Sequence, residues 1–268
     1  MPSITAAWNQ NATNHSGGKQ ECHQSQRRGT GMPQPQRRGT GAAFRSEGTL
    51  MKKDAKISNA VIKRLPRYRR YLRELQKKGV DKISSREFSR LIGYTASQIR
   101  QDLNSFGGFG QQGYGYNVDG LYNEISAILG LDQHYKMVVV GVGNLGRAIA
   151  NYTFYYKTGF VIDTIFEVSP AIIGNSINGV EVRDYDNIVE YVEENDIDIG
   201  IICTPKEVAQ EVADKLCFAG VRGIWNFAPV DLEVPEHVAL ENVHISDSLH
   251  ALAYHMNRQS MEDAKKDK

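Results

Sequence analysis

The stretch KMVVVGVGNLGRAIA, residues 136–150, restricts what this chain can become more than any other. An apolar run ends in GVGNLG, 141–146, and a segment of helical spacing follows. A GxGxxG sequence alone is weak, but between a strand and a helix it marks the phosphate-binding turn of a dinucleotide-binding βαβ unit. Gly141 permits the tight turn, Gly143 lets the backbone approach a pyrophosphate, and Gly146 lets helix and strand pack closely. Val142, Asn144 and Leu145 complete a loop whose amides and helix dipole favour a phosphate. The next strand, VIDTIFEV at 161–168, places Glu167 21 residues after Gly146. A carboxylate there bonds ribose hydroxyls and repels a 2′-phosphate, which favours NAD(H) over NADP(H).

Strand–helix alternation continues through NIVEYVEENDI, DIGIICTP, KEVAQEVADKLCFAG and VRGIWNFAP, as in a parallel sheet. Ligands in such sheets lie beyond the carboxyl ends of strands. Thr204, Pro205, Asn226, Ala228 and Pro229 are therefore candidate cofactor contacts, with plain turn chemistry as their other reading.

The charge is split along the chain. Residues 51–105 hold 15 Lys or Arg against 5 Asp or Glu, whereas 106–268 hold 11 against 24. Such asymmetry points to a module facing a polyanion joined to an acidic one. In the basic part, Ala60, Ile62, Leu65, Tyr68, Leu72 and Leu75 recur at helical steps, and Gly79 ends the run. SSREFSRLIGYTASQIRQDLNSFG, 84–107, then predicts two short helices around Gly93. Ser84 with Glu87 and Thr95 with Gln98 form capping-box patterns. Phe88, Leu91 and Ile92 supply one apolar face, and Ala96, Ile99, Leu103 and Phe106 the other. This is helix-turn-helix grammar, with a generic three-helix bundle as the alternative. Ser97, Gln98, Arg100 and Gln101 would meet base edges, and Lys63, Arg64, Arg67 and Arg70 the phosphates. The glycine-rich stretch 106–118 suits a hairpin wing with Gln111 and Gln112 at its tip, and 118–131 suits a linking helix.

Residues 1–50 are polar, repeat QRRGTG, and are expected to be a disordered extension ahead of a natural start at Met51. The three cysteines, Cys22, Cys203 and Cys217, lack metal-ligand spacing, and Cys203 and Cys217 are expected to be buried. No apolar run approaches membrane-spanning length, and no signal-peptide core is present, so a cytoplasmic protein is expected. Beyond the nucleotide unit only one helical segment remains, which leaves no room for a substrate domain. None of the seven histidines is an obvious acid or base, so an enzyme is not expected.

The sequence resembles the Rex redox-sensing transcriptional repressors over roughly residues 57–258. The matching stretches are RLPRYRRYL, ISSREFSRLIGYTASQIRQDLNSFGGFG, ILGLD, VVVGVGNLGRAIA, IWNFAPVDLEVPEHVALENV and SLHALAYHM. The resemblance implies an α/β chain: an N-terminal winged-helix (helix-turn-helix) DNA-binding domain, a Rossmann dinucleotide-binding domain and a swapped C-terminal helix. The boundaries implied are 51–118 for the winged helix, 119–132 for a linker helix, 133–245 for the Rossmann domain, 246–258 for the dimerisation helix and 259–268 for a disordered tail. It implies a homodimer that binds double-stranded palindromic operator DNA and is released by NADH, with NAD+ as the competing state. It carries the pyrophosphate onto Gly141–Gly146 and the ribose onto Glu167, and it implies neither metal nor membrane. Three departures stand out. Glu167 replaces the usual Asp, Gln111 and Gln112 stand where the wing is usually basic, and His244 replaces an Asp that in relatives couples cofactor state to domain position. Regulation by another nucleotide, such as one containing CoA or ADP, and a small dehydrogenase remain the alternatives.

Overall fold

The computed structural model describes residues 57–107, 109, 115–152 and 158–266, with backbone only for 260–266. The expected N-terminal extension and the wing tip with Gln111 and Gln112 lie outside the described residues. The rest falls into two compact units that divide between Leu131 and Asp132.

In the first unit, α1 (Asn59–Lys77) carries the basic residues. Its buried stripe is Val61, Leu65, Tyr68, Leu72 and Leu75, while Ala60 and Ile62, expected in the core, are exposed. The core face begins one residue later than expected because Val61, not Ile62, keeps the four-and-three spacing to Leu65 and Tyr68. Strand β1 (Lys82–Ile83) leads to α2 (Ser85–Ile92), whose capping box forms in full: Ser84 Oγ accepts from the Glu87 amide, and Glu87 accepts from the Ser84 amide. Gly93 turns the chain at φ +75°, a left-handed conformation that suits glycine. Leu91, expected in the core, is exposed.

The following helix, α3 (Ala96–Asn104), is capped by Thr95, which accepts from the Gln98 amide. The reciprocal half of this second capping box does not form, because the Gln98 side chain bonds Asp102 instead. Strand β2 (Tyr116–Asn117) pairs antiparallel with β1. Gly115 makes that approach possible, since a Cβ there would lie 2.7 Å from the Ile83 carbonyl oxygen. Helix α4 (Val118–Ile128), expected as a linker, buries Val118, Leu121 and Ile125 in the same core as Leu65, Phe88 and Ile99.

In the second unit β3 (Tyr135–Val140), β4 (Phe160–Glu167), β5 (Ser176–Ile177), β6 (Val180–Asp184), β7 (Ile199–Ile202), β8 (Gly223–Asn226) and β9 (Ala239–Asn242) form one sheet in the order β5-β6-β4-β3-β7-β8-β9. Every pairing is parallel except that of β5 with β6. Without the edge strand β5, this is the 3-2-1-4-5-6 order of the Rossmann fold. Helices α5 (Asn144–Ala150), α6 (Ile188–Glu194) and α7 (Lys206–Phe218) connect the strands. Strand β3 sends Val138 and Val140 to one face, with Ile188 of α6 and Ala209, Val212 and Leu216 of α7. It sends Met137 and Val139 to the other, with Ile149 of α5. Burial on both faces explains why this strand reads as a continuous apolar run.

Helix α8 runs Ile245–Lys266, past the expected boundary at 258 and into the expected disordered tail. Residues 257–266, NRQSMEDAKK, contain no Gly or Pro to stop it. Ile245, Leu249, Leu252 and Met256 on α8 are all exposed. Among the described residues no helix is long and apolar enough to cross a membrane, and no group of side chains is arranged to hold a metal ion.

Candidate functional site

The glycine-rich turn sits where the strand order reverses, at the carboxyl ends of β3 and β7. Gly141 has φ +96°, and its amide donates to the Phe166 carbonyl at 2.9 Å. A Cβ on Gly141 would approach the Cys203 carbonyl oxygen to 2.8 Å, and one on Gly146 would run into the Gly141 carbonyl oxygen. Gly143 caps α5 with extended backbone, and the exposed Asn144 and half-buried Leu145 begin the helix.

Glu167 is 1% exposed, at the end of β4. One carboxylate oxygen accepts from the Val142 amide at 2.8 Å, and the other from the amides of Val168 and Ser169 at 2.8 and 3.2 Å. Glu167 thus pins the second residue of the glycine turn, a task the sequence did not announce. Carboxylate oxygens hold about four lone-pair sites in all, so a further donor such as a ribose hydroxyl can still be accepted.

Thr204 lies beside the turn at the end of β7; its methyl is 3.3 Å from where a Gly141 Cβ would sit. Its hydroxyl is buried and has no hydrogen-bond partner among the described residues. A buried unsatisfied hydroxyl is costly and calls for an explanation such as a ligand. Pro205 is the N-cap of α7. Asn226, by contrast, is fully engaged. Its side-chain amide donates to the Val230 carbonyl and the Asn242 side chain, and its oxygen accepts from the Ala228 amide. It staples the turn after β8 to β9, while Ala228 is buried and Pro229 is exposed. Cys203, under the glycine turn, is half-buried, and its thiol is pushed up to about 12 by that burial, so it stays protonated. Two Cβ-free positions, an anchored carboxylate and an orphaned hydroxyl therefore fit a dinucleotide.

In the first unit Lys63, Arg67 and Arg70 of α1, and Ser97, Arg100 and Gln101 of α3, are all exposed. Arg67 lies over the Tyr94 ring and Arg70 over the Tyr71 ring. Arg100 donates to Ser85 Oγ at 3.0 Å and to Ser97 Oγ at 3.1 Å, which ties α3 to the start of α2. Arg64 and Gln98 are placed differently: both bond Asp102, a residue that drew no attention in the sequence. Asp102 is fully buried and accepts from Arg64 Nε and Nη2 at 2.6 and 2.8 Å, Tyr68 Oη at 2.6 Å and Gln98 Nε2 at 2.8 Å. Burial by itself would raise the Asp102 carboxyl, but these donors outweigh it and hold the group below the usual carboxylate range. Tyr68 moves the other way, raised by burial and by its bond to Asp102.

At the far end of the nucleotide unit, His244 Nε2 lies 2.9 Å from the exposed Asp231 carboxylate, beside the start of α8.

The two units together define a class: a helix-turn-helix module joined to a dinucleotide-binding domain. Comparison with known proteins narrows this. Residues 56–104 match the family described as "Putative DNA-binding protein N-terminus", and residues 132–230 match "CoA binding domain". The redox-sensing transcriptional repressor Rex of Thermoanaerobacter pseudethanolicus is 56% identical over 211 residues, 79% of this chain and 94% of the relative. That of Clostridium beijerinckii is 59% identical over 207 residues, 77% of this chain and 98% of the relative. The crystal structure of RSP, a Rex-family repressor, superposes with a TM-score of 0.74 at 52% identity, covering 80% of this chain and all of that one. RSP with β-NAD+ and operator DNA gives 0.73 at 54% identity, over 80% of this chain and 99% of that one. The chain belongs to the Rex family of redox-sensing transcriptional repressors. That family is one of repressors rather than enzymes, despite its dehydrogenase-like fold.

Proposed function

We propose that the chain is a cytoplasmic homodimeric repressor that binds double-stranded operator DNA and leaves it when NADH replaces NAD+. The single observation that carries the cofactor half is Thr204, a buried hydroxyl without a partner among the described residues, beside a turn that tolerates no Cβ at Gly141 or Gly146. The solved structures of RSP with β-NADH, and with β-NAD+ and operator DNA, support it. The turn Gly141–Gly146 takes the pyrophosphate at the start of α5, with the Gly141 and Val142 amides already engaged in holding the turn itself, Glu167 takes a ribose, and Thr204 and Pro205 the part of the dinucleotide over β7. Ala228 and Pro229 line the next strand end, and Asn226 acts there by shaping that turn. Lys63, Arg67 and Arg70 meet phosphates, while Ser97, Gln98, Arg100 and Gln101 meet base edges. Helix α8, with its apolar side chains exposed, packs into the second copy.

The bound cofactor supplies only a ring whose charge depends on its redox state, and a cationic ring costs more to desolvate than a neutral one. The protein must convert that difference into two dimer shapes, because a ligand shifts an equilibrium only by its differential affinity. Two reading helices in a dimer must match half-sites roughly 34 Å apart, so a change in their spacing releases DNA.

Anisotropy of labelled RSP operator DNA, titrated with this protein, tests the reading. NADH should weaken binding and NAD+ should not; equal curves would end the sensor reading. The match of 132–230 to a CoA binding domain favours a second reading, response to a CoA-type nucleotide. Release by CoA, but not by NADH, would establish it.

A further inference from the structure

We propose that Asp102 is a positioning residue for base reading, and that Arg64 acts through it rather than on a DNA phosphate. The inference rests on the reading above that α3 faces the major groove. An ionised carboxylate only accepts hydrogen bonds, and Asp102 accepts four, which fills its capacity. Its partner on Gln98 must therefore be the amide nitrogen, and the Gln98 carboxamide cannot flip. The carbonyl oxygen and one N–H of Gln98 are left over, the acceptor and donor that an adenine edge complements through N6 and N7. Gln98 is half-buried on α3, with exposed Ser97 and Gln101 near it, and it lines an open surface hollow together with Arg64, Gln101 and Asp102.

Arg64 completes the device from the other helix. Its Nε and Nη2 both hold Asp102, the two-pronged geometry that guanidinium and carboxylate share. Only a fifth of the Arg64 side chain is exposed. Tyr68, one turn further along α1, adds its hydroxyl to the same oxygen as Arg64 Nε. The orientation of one base-reading side chain on α3 is thus fixed by two residues of α1.

The test uses the full chain, RSP operator DNA, operators changed at one base pair at a time, and an unrelated duplex, each across a salt titration. Gln98→Met keeps the shape of the side chain and should lower discrimination at one base pair per half-site by roughly 5- to 150-fold. R64M/D102L replaces the buried pair by apolar groups, an exchange that buried ion pairs often tolerate. It should lose discrimination at that same base pair, leave the unrelated duplex and its salt slope unchanged, and add nothing when combined with Gln98→Met. A salt slope smaller by about one would place Arg64 on a phosphate and overturn the proposal. Full discrimination in R64M/D102L, or an unchanged profile for Gln98→Met, would also overturn it. If R64M/D102L does not fold, Asp102→Asn, which keeps the shape, takes its place for discrimination, and full discrimination in it would overturn the proposal; Arg64→Met alone then gives the salt slope. Failure of the wild-type protein to bind any operator would instead strike the parent reading of α3.

Discussion

Among the described residues each unit buries one carboxylate at its candidate site, and the two are held in opposite ways. Glu167 is held by three backbone amides, those of Val142, Val168 and Ser169. Asp102 is held by three side chains from two helices, Arg64, Tyr68 and Gln98. Backbone amides are present whatever the neighbouring residues are, so the Glu167 anchor follows from the path of the chain. The Asp102 anchor exists only while three particular side chains do. The first kind of site tolerates drift around it, and the second links residues that must change together.

The sharpest way to break this contrast is Asp102→Ala. Removing it leaves the Arg64 charge half-buried without its counter-ion, and the first unit should lose about 3–5 kcal/mol by urea unfolding. A loss below about 1 kcal/mol would put Asp102 on a par with surface pairs. Gly146→Ala comes next on the nucleotide side. Its methyl meets the Gly141 carbonyl oxygen, so about 3 kcal/mol of stability and most NADH binding should go together, the latter read by energy transfer from Trp225.

Glu167→Gln is milder, because an amide can still accept from one backbone N–H while turning its own N–H against another. About 1–3 kcal/mol should be lost, with weaker NADH binding and unchanged DNA affinity in its absence. Smaller again is Thr204→Val, and its two effects should have opposite signs. Removing a buried hydroxyl that has no partner among the described residues should leave stability unchanged or higher, by up to about 1 kcal/mol, while NADH affinity falls up to roughly tenfold. A drop in both would mean that the hydroxyl serves the fold.

The smallest effect belongs to His244. Its bond to Asp231 raises it above its usual 6.5. A raised folded value means stability that is fully present below about pH 6.5 and is lost as pH rises through that folded value. Thermal midpoints at about pH 5.5 and about pH 8 should therefore differ slightly in the wild type, and less in His244→Ala.

The contrast also explains what the sequence could disclose. The glycine turn, its flanking strand and Glu167 were legible because backbone geometry ties them to a fixed spacing. Asp102 was not, because a single Asp on a short helix carries no signal of burial until Arg64 and Tyr68, more than 30 positions away, are brought against it. Gln98 was assigned to a capping box and to base edges from spacing alone; the structure removes it from the first and ties it to Asp102. Strand β9, with ALEN in place of an apolar run, gave no strand pattern to find. The β5–β6 hairpin could have been found: Asn178 and Gly179, at φ 51° and 81°, are the Asn-Gly pair of a tight two-residue turn.

The short β1–β2 ladder has its own consequence. Ile83 faces Tyr116, Lys82 faces Asn117, and the Val118 amide donates to the Asp81 carbonyl at 2.9 Å. The two ends of the stretch from 84 to 115 are therefore clamped together, while Phe88, Ile92, Ile99 and Leu103 within it pack into the core shared with α1 and α4. Substitutions confined to its exposed positions, such as Ser97 and Gln101, would leave that shared core intact and would let related chains trade operator preference while keeping the same scaffold.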